Sequence, residues 1–129
     1  MAPTIFTYEE ASAQIDAVRR TTRAADERLQ QLRTLAEGLP QGAPELERLQ
    51  EQMNEALAAW AESINALGAL PKGVWTVDFD SGQGFYYCWT LDESILTHYH
   101  AYEDGFRGRK PLVDGLPPDF PDAKPPILN

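Results

Sequence analysis

The stretch that decides the fold is residues 73–91, which reads GVWTVDFDSGQGFYYCWTL. Residues 74–79 and 85–91 are rich in aromatic and β-branched side chains, a composition that favours β-strands. The segment between them, residues 80–84 (DSGQG), is typical of a hairpin loop because two of its five residues are glycine. The sequence therefore predicts two antiparallel strands joined by a tight turn.

A third strand is predicted directly after this hairpin. Residues 92–94 (DES) are typical of a second turn, and residues 95–100 (ILTHYH) have strand composition. Together the three segments predict an antiparallel β-meander over about residues 73–100. In an antiparallel sheet with one face in water, that face carries polar residues. On the middle strand, the face opposite the predicted core instead carries Tyr86 and Cys88. We therefore expect this second face to be partly covered, by the C-terminal segment or by another subunit.

The residues before the sheet predict two long amphipathic helices. Thr7 and Glu10 have the spacing of a capping box, which marks a helix start. Glycine and proline at residues 38–44 interrupt the helical pattern, and Gly68 is a plausible second helix end. Apolar or small residues recur at steps of three and four: Ala11, Ile15, Val18, Thr22, Ala25, Leu29, Leu32 and Ala36, then Leu46, Leu49, Met53, Ala56, Trp60, Ile64 and Leu67. This pattern predicts an antiparallel helical hairpin over about residues 7–68.

The residues after the sheet, 101–129, contain a Gly-Phe-x-Gly-Arg loop and then six of the ten prolines. Proline excludes helix interiors and central strands, so we expect an extended tail that is either docked or disordered. With 129 residues the chain fits a single domain. The predicted class is α+β, a helical hairpin followed by a three-stranded meander and a proline-rich tail.

Charge and composition exclude several classes of partner. The formal net charge is -9, which argues against nucleic acid and anionic membranes because both attract basic surfaces. No apolar run approaches the ~20 residues of a membrane span. Residues 1–4 lack the pattern of a signal peptide, and the single cysteine excludes an internal disulfide. We expect a cytoplasmic protein.

Four short stretches carry a resemblance: residues 6–11 (FTYEEA), 73–79 (GVWTVDF), 87–91 (YCWTL) and 99–109 (YHAYEDGFRGR). They are similar to a family of small uncharacterised prokaryotic proteins, the domain of unknown function 2203. Trp75 and Thr76 are an insertion relative to the family pattern, and Tyr99 stands where the family has Trp. The resemblance extends over most of residues 6–112. It implies no activity, because the family has none established.

A metal site is one function that the polar residues near the third strand predict. His98 and His100 are two apart in a strand, so both imidazoles point to the same face. With Glu103, and with Cys88 and Asp78 on adjacent strands, they would suit a divalent transition metal. The alternative is two partly exposed histidines near the end of an edge strand. No other cofactor is predicted.

A small anionic ligand is the second candidate. Arg107 and Arg109 lie in the glycine-containing loop 105–110, where backbone amides and guanidinium groups can bind carboxylate or phosphate. Phe106 and Trp89 would supply aromatic surface. The alternative is structural: Phe106 fills the core and Arg109 pairs with an acid, namely Glu103, Asp104 or Asp78.

The third candidate is an assembly module without enzymatic activity, and we favour it because the sequence contains no catalytic constellation. Cys88 has no basic neighbour in sequence, so we expect a buried, inert thiol. A hairpin of helices spanning roughly 36–45 Å should extend beyond a sheet of about 15–20 Å. The exposed part of its apolar stripe would then bind a partner, and we expect a homodimer. The sequence identifies no other protein partner and no biochemical function.

Overall fold

The computed structural model describes residues 4–123, which form two helices followed by an antiparallel sheet. The helices are α1 (Tyr8–Glu37) and α2 (Glu45–Ala66). The strands are β1 (Leu70–Lys72), β2 (Thr76–Asp80), β3 (Phe85–Thr90), β4 (His98–Ala101) and β5 (Lys110–Pro111), with a short 3-10 helix at Phe106–Gly108. The strand order follows the chain, β1-β2-β3-β4-β5. The predicted α+β class is confirmed.

The predicted number of strands was wrong, since five strands form the sheet in the described part of the chain. The two that the sequence analysis missed, β1 and β5, are the edges of the sheet. Each contains a proline, Pro71 or Pro111, and a lysine, Lys72 or Lys110. Proline is compatible with an edge strand, where its missing N–H interrupts no ladder. Lysine and proline at an edge also hinder pairing with other chains.

Two strand boundaries also differ from the prediction. β2 begins at Thr76 because the preceding residues turn out of β1, and the Thr76 amide donates to the Gly73 carbonyl (2.7 Å). β4 begins only at His98, because the connection before it is an ordered loop that contains Glu93. There the Glu93 carbonyl accepts from the Trp89 indole (2.8 Å), and its carboxylate accepts from the Thr90 amide (3.0 Å).

The helical hairpin has the capping box that the sequence predicts. The Thr7 hydroxyl accepts from the Glu10 amide (3.1 Å), and the Glu10 carboxylate accepts from the Thr7 amide (2.9 Å). The two helices pack against each other, and the buried Trp60 indole donates to the Thr22 hydroxyl (2.8 Å). Neither helix is long and apolar enough to cross a membrane, nor is any other helix within residues 4–123.

The core lies between the helices and one face of the sheet. It contains residues from α1, α2 and the three central strands: Ala11, Ile15, Val18, Leu29, Trp60, Ile64, Val77, Phe79, Phe85, Tyr87, Trp89 and Tyr99. Phe120, from the proline-rich segment, packs on Phe85 with ring centroids 4.9 Å apart. Residues 112–123 form successive turns and one isolated bridge, so the expected extended tail is not observed there. Residues 124–129 lie outside the described residues.

The second face of the sheet is partly covered by the segment between β4 and β5. Asp78, Cys88 and His100 lie on this face and are almost completely buried. Arg109 reaches back from the covering segment and donates to the Cys88 carbonyl (3.3 Å). The cover therefore comes from the C-terminal part of the chain, one of the two alternatives that the sequence left open.

Candidate functional site

Three adjacent strands bring Asp78, Cys88 and His100 together. Asp78 in β2 lies directly opposite Cys88 in β3. His98 is opposite Cys88 in β4, so His100 is a diagonal neighbour of Cys88, within reach of a long side chain. One ligand atom from each of the three residues lies within 4.8 Å of the other two. The residues are only 2%, 0% and 4% exposed, respectively.

The hydrogen bonds of His100 determine which ring nitrogen carries a hydrogen. Nδ1 lies 2.9 Å from the Ala101 carbonyl oxygen, which can only accept, so Nδ1 must donate. Nε2 lies 3.0 Å from Asp78 Oδ2. If the imidazole were neutral and Asp78 were ionised, Nε2 and Oδ2 would both be hydrogen-bond acceptors, and they would face each other. The pair must therefore hold one additional proton, or a cation, between these two atoms.

Asp78 has an unusual environment for a carboxylate. Burial is the main cause that raises its pKa, while His100, a weak hydrogen bond from the Cys88 thiol and the charge of Lys72 act in the opposite direction. Oδ1 is buried and has no conventional hydrogen-bond partner. Buried polar atoms in folded proteins nearly always have a partner, so Asp78 offers Oδ1 as well as Oδ2 to a bound ion.

Burial also controls the chemistry of Cys88. Burial, together with the nearby Asp78 carboxylate, raises the pKa of the thiol to about 12. The thiol is therefore protonated at neutral pH and is not a nucleophile by itself. A bound metal ion would change this, because a coordinating thiol loses its proton.

A pocket of about 310 Å³ opens onto this face of the sheet. Its lining residues come from β1 to β4 and from the covering segment: Lys72, Gly73, Thr76, Asp78, Tyr86, His100, Tyr102, Asp104, Gly105 and Phe106. Asp78 and His100 belong to the lining, whereas Cys88 does not. Two of the three potential ligands therefore border the pocket.

The structure separates His98 and Glu103 from this cluster. His98 lies on the same face of the sheet as His100, but its side chain contacts other residues. Its Nδ1 lies 3.2 Å from Glu93 Oε2 and 2.8 Å from the Thr97 hydroxyl. Glu103 is exposed. Neither belongs to a group of three metal-ligating side chains within residues 4–123. The predicted set of His98, His100 and Glu103 is thus not assembled, and His100 instead lies beside Asp78 and Cys88.

Arg109 is already engaged in a structural ion pair. Its Nη2 lies 2.5 Å from Glu93 Oε2, and its guanidinium stacks over the Phe106 ring at 5.0 Å. Glu93 is not among the three acids that the sequence analysis considered as partners. Phe106 is 49% exposed, so it does not fill the core as expected.

The residues predicted to bind an anion do not share one surface. Arg107 is exposed, and Trp89 is fully buried in the core on the opposite face of the sheet. Phe106 lines the pocket, but neither Arg107 nor Arg109 does. The cation in the pocket lining is Lys72, which the sequence analysis did not consider because it lies in a strand that was missed.

A family model matches residues 4–112, which is most of the chain. No curated protein and no solved structure matches the chain. The matched range includes both helices, all five strands and the cluster of Asp78, Cys88 and His100. The chain belongs to the family described as "Uncharacterized conserved protein (DUF2203)".

Proposed function

We propose that this protein binds a divalent transition metal ion, Zn²⁺ in the first instance, through Asp78, Cys88 and His100. The observation that carries the proposal is the approach of three buried ligand atoms to within 4.8 Å. Thiolate, imidazole and carboxylate are the usual protein ligands of zinc. First-row divalent metals follow a common affinity order in such sites, so Co²⁺ can replace zinc as a spectroscopic probe.

The orientation of His100 supports this assignment. A histidine that binds metal usually donates its other ring N–H to a carbonyl or carboxylate, which fixes the tautomer. In His100 the Nδ1–H donates to the Ala101 carbonyl, which leaves the Nε2 lone pair available. Nε2 faces Asp78 Oδ2, so a metal ion between them would replace the proton that this pair requires.

The charge balance of the site also favours a dication. Without metal, the Asp78–His100 pair holds one proton and the Cys88 thiol holds another, so the cluster is neutral. A dication that displaces both protons leaves a thiolate, a carboxylate and a neutral imidazole, and the cluster is neutral again. Binding therefore leaves no net charge in a buried site, where an unpaired charge is costly.

The geometry requires small adjustments of the three side chains. Ligand atoms in a tetrahedral zinc site lie about 3.5 Å apart, given metal–ligand bonds of roughly 2.0–2.3 Å. The three atoms here lie within 4.8 Å of one another, and His100 Nε2 lies 3.0 Å from Asp78 Oδ2. The longer separations must shorten and this short one must open, and movements of about 1 Å suffice for both. Three protein ligands leave a fourth tetrahedral position for water or substrate, the arrangement typical of catalytic zinc sites. Zinc in such a site acts as a Lewis acid and activates bound water.

Zinc titration of chelator-treated, untagged protein tests the proposal. A chromophoric chelator competes for zinc, and we expect one site per chain. Asp78→Asn, Cys88→Ser and His100→Gln should each weaken binding by at least about 100-fold, since even outer-shell changes cost 10–100-fold. Binding at neutral pH should release about two protons per zinc, from the Asp78–His100 pair and from the thiol.

The matched control is His98→Gln, which removes the neighbouring imidazole on the same strand and should leave affinity unchanged. Equal loss in His98→Gln and His100→Gln would contradict the proposed ligands. Affinity that does not depend on Cys88 would also contradict them, because the metal would then sit elsewhere.

Assembly through the helical hairpin is a second candidate, favoured by one observation about charge. Residues 19–33 of α1 carry five arginines and two acids, whereas α2 carries five glutamates and one arginine. Within residues 4–123 no ion pair involves either helix. Leu35, near the end of α1, is also exposed. A second copy could place α1 beside the partner's α2, where opposite charges would face each other.

Light scattering over a range of protein concentrations tests this assembly. We expect the mass of a dimer at high micromolar concentration, and a shift toward the monomer at high salt because exposed charges are screened. Leu35→Lys should weaken the dimer, whereas Ile95→Lys, at an exposed apolar residue outside the hairpin, should not. A monomer mass at all concentrations would contradict it.

A further inference from the structure

We infer that the pocket beside the metal site binds a small organic carboxylate, which takes the fourth coordination position and is held by Lys72. The inference rests on the proposed metal site and adds the chemical class of the ligand. It is carried by three features of the pocket: which ligands border it, its charge and its aromatic walls.

The first feature is access. Asp78 and His100 line the pocket, while Cys88, on the strand between theirs, does not. A metal ion held by all three residues would therefore have its remaining coordination position on the pocket side.

The second feature is charge. The metal cluster is neutral when loaded, and Lys72 adds one positive charge to the lining. Among residues 4–123 Lys72 takes part in no ion pair, and it lies 5.9 Å from the centroid of the Tyr86 ring. Lys72 and Asp78 line the same pocket, so the ammonium group lies on the side from which a ligand would approach the metal. Lys72 is therefore available to pair with one negative charge of a ligand in the pocket.

The charge also limits which anion fits. Asp104 lines the same pocket and would repel a second negative charge. The lining contains no arginine, so it lacks the two-pronged donor that phosphate sites often use. A single lysine beside a neutral metal cluster matches a monoanion. A carboxylate satisfies this requirement and is also a common oxygen ligand of zinc.

The third feature is the shape of the walls. Tyr86 and Tyr102 lie side by side with ring centroids 4.8 Å apart, and Phe106 is half exposed at the rim. The Tyr102 hydroxyl donates to Asp80 (2.5 Å), which fixes this wall. A pocket of about 310 Å³ is at the lower end of the range for small-molecule sites. A small aromatic carboxylate would fill it.

Cobalt-substituted protein tests this inference with benzoate as the probe. We expect a thiolate-to-cobalt charge-transfer band from Cys88, and d–d bands that change saturably when benzoate is added. Inorganic phosphate and neutral benzamide should have weaker effects at equal concentration. Lys72→Gln should weaken benzoate binding roughly tenfold, the effect of one charge at short range, while cobalt stays bound. Lys110→Gln is the matched control, because Lys110 is an edge-strand lysine outside the pocket.

The outcomes separate the two proposals. Absence of the charge-transfer band, or its survival in Cys88→Ser, overturns the metal site itself. Bound cobalt with d–d bands that do not respond to benzoate overturns the ligand inference and leaves the metal site standing. The ligand inference is also overturned if phosphate or benzamide binds as well as benzoate, or if Lys72→Gln has no effect.

Discussion

Burial gives ordinary side chains at this site their chemical properties. On an exposed strand Asp78 and Cys88 would be a solvated carboxylate and a reactive thiol. In the closed face of the sheet, burial raises both of their pKa values. The Asp78–His100 pair shares a proton, and the thiol keeps its own. These two protons are what a metal ion would displace, which links the local electrostatics to the proposed function.

The residues of the candidate site were only partly predictable from sequence. Spacing alone places His98 and His100 on one face and allows Asp78 and Cys88 to be near them. It does not reveal the register, and a shift of one residue would turn every side chain to the other face. The observed register brings His100 near Asp78, and the loop before β4 brings Glu93 beside His98. That choice depends on contacts between distant segments, which no local pattern specifies.

Arg109 and Arg107 offer a matched pair of substitutions in one loop. Arg109 is mostly buried and pairs with Glu93, whereas Arg107 is exposed. Arg109→Ala should lower the free energy of unfolding by about 2 kcal/mol, because it leaves the half-buried Glu93 carboxylate without its cation. Arg107→Ala should change it by less than about 0.5 kcal/mol. Urea denaturation measures both, and equal effects would contradict the structural role of Arg109.

At the scale of the elements, the contact between the helices includes one buried side-chain hydrogen bond. The Trp60 indole donates to the Thr22 hydroxyl, and Thr22 is completely buried. Thr22→Val keeps the shape but leaves the indole N–H without a partner, so stability should fall by about 1–3 kcal/mol. Thr21→Val, at a partly buried neighbour, is the control. Thermal or urea denaturation measures the stability of both variants. Equal stability of the two would contradict this account.

The elements that the sequence predicted are those with strong local signals. Both helices were predicted because a capping box, an apolar stripe and a glycine- and proline-containing break lie in sequence order. The central strands β2 and β3 were predicted from their aromatic content. The edge strands β1 and β5 were missed because Pro71 and Pro111 are local signals against a strand. Only pairing with β2 and β4 makes these two short segments into strands, and pairing is a tertiary property.

At the scale of the whole molecule, stability should depend on alkaline pH. Burial raises the pKa of Cys88 from 9.0 and that of Tyr87 from 10.0, each to about 12. At a pH between the unfolded and the folded pKa values, the unfolded chain loses protons that the folded protein keeps. This contribution is therefore complete below pH 9 and is lost as the pH rises from 9 through 12.

Urea denaturation of metal-free protein at pH 8 and pH 10.5 measures this dependence. The free energy of unfolding should fall by on the order of 2–3 kcal/mol over that interval. Cys88→Ala removes the larger of the two contributions, so the variant should show a smaller fall. Equal stability of the wild-type protein at both pH values would mean that the two groups are not protected by burial as described.

The central claim is that the buried cluster of Asp78, Cys88 and His100 is a metal site. The most direct test is elemental analysis combined with native mass spectrometry on protein purified without an affinity tag or chelator. The account predicts close to one zinc per chain, lost in His100→Gln and retained in His98→Gln. Protein that is free of metal, or metal retained in His100→Gln, would contradict it.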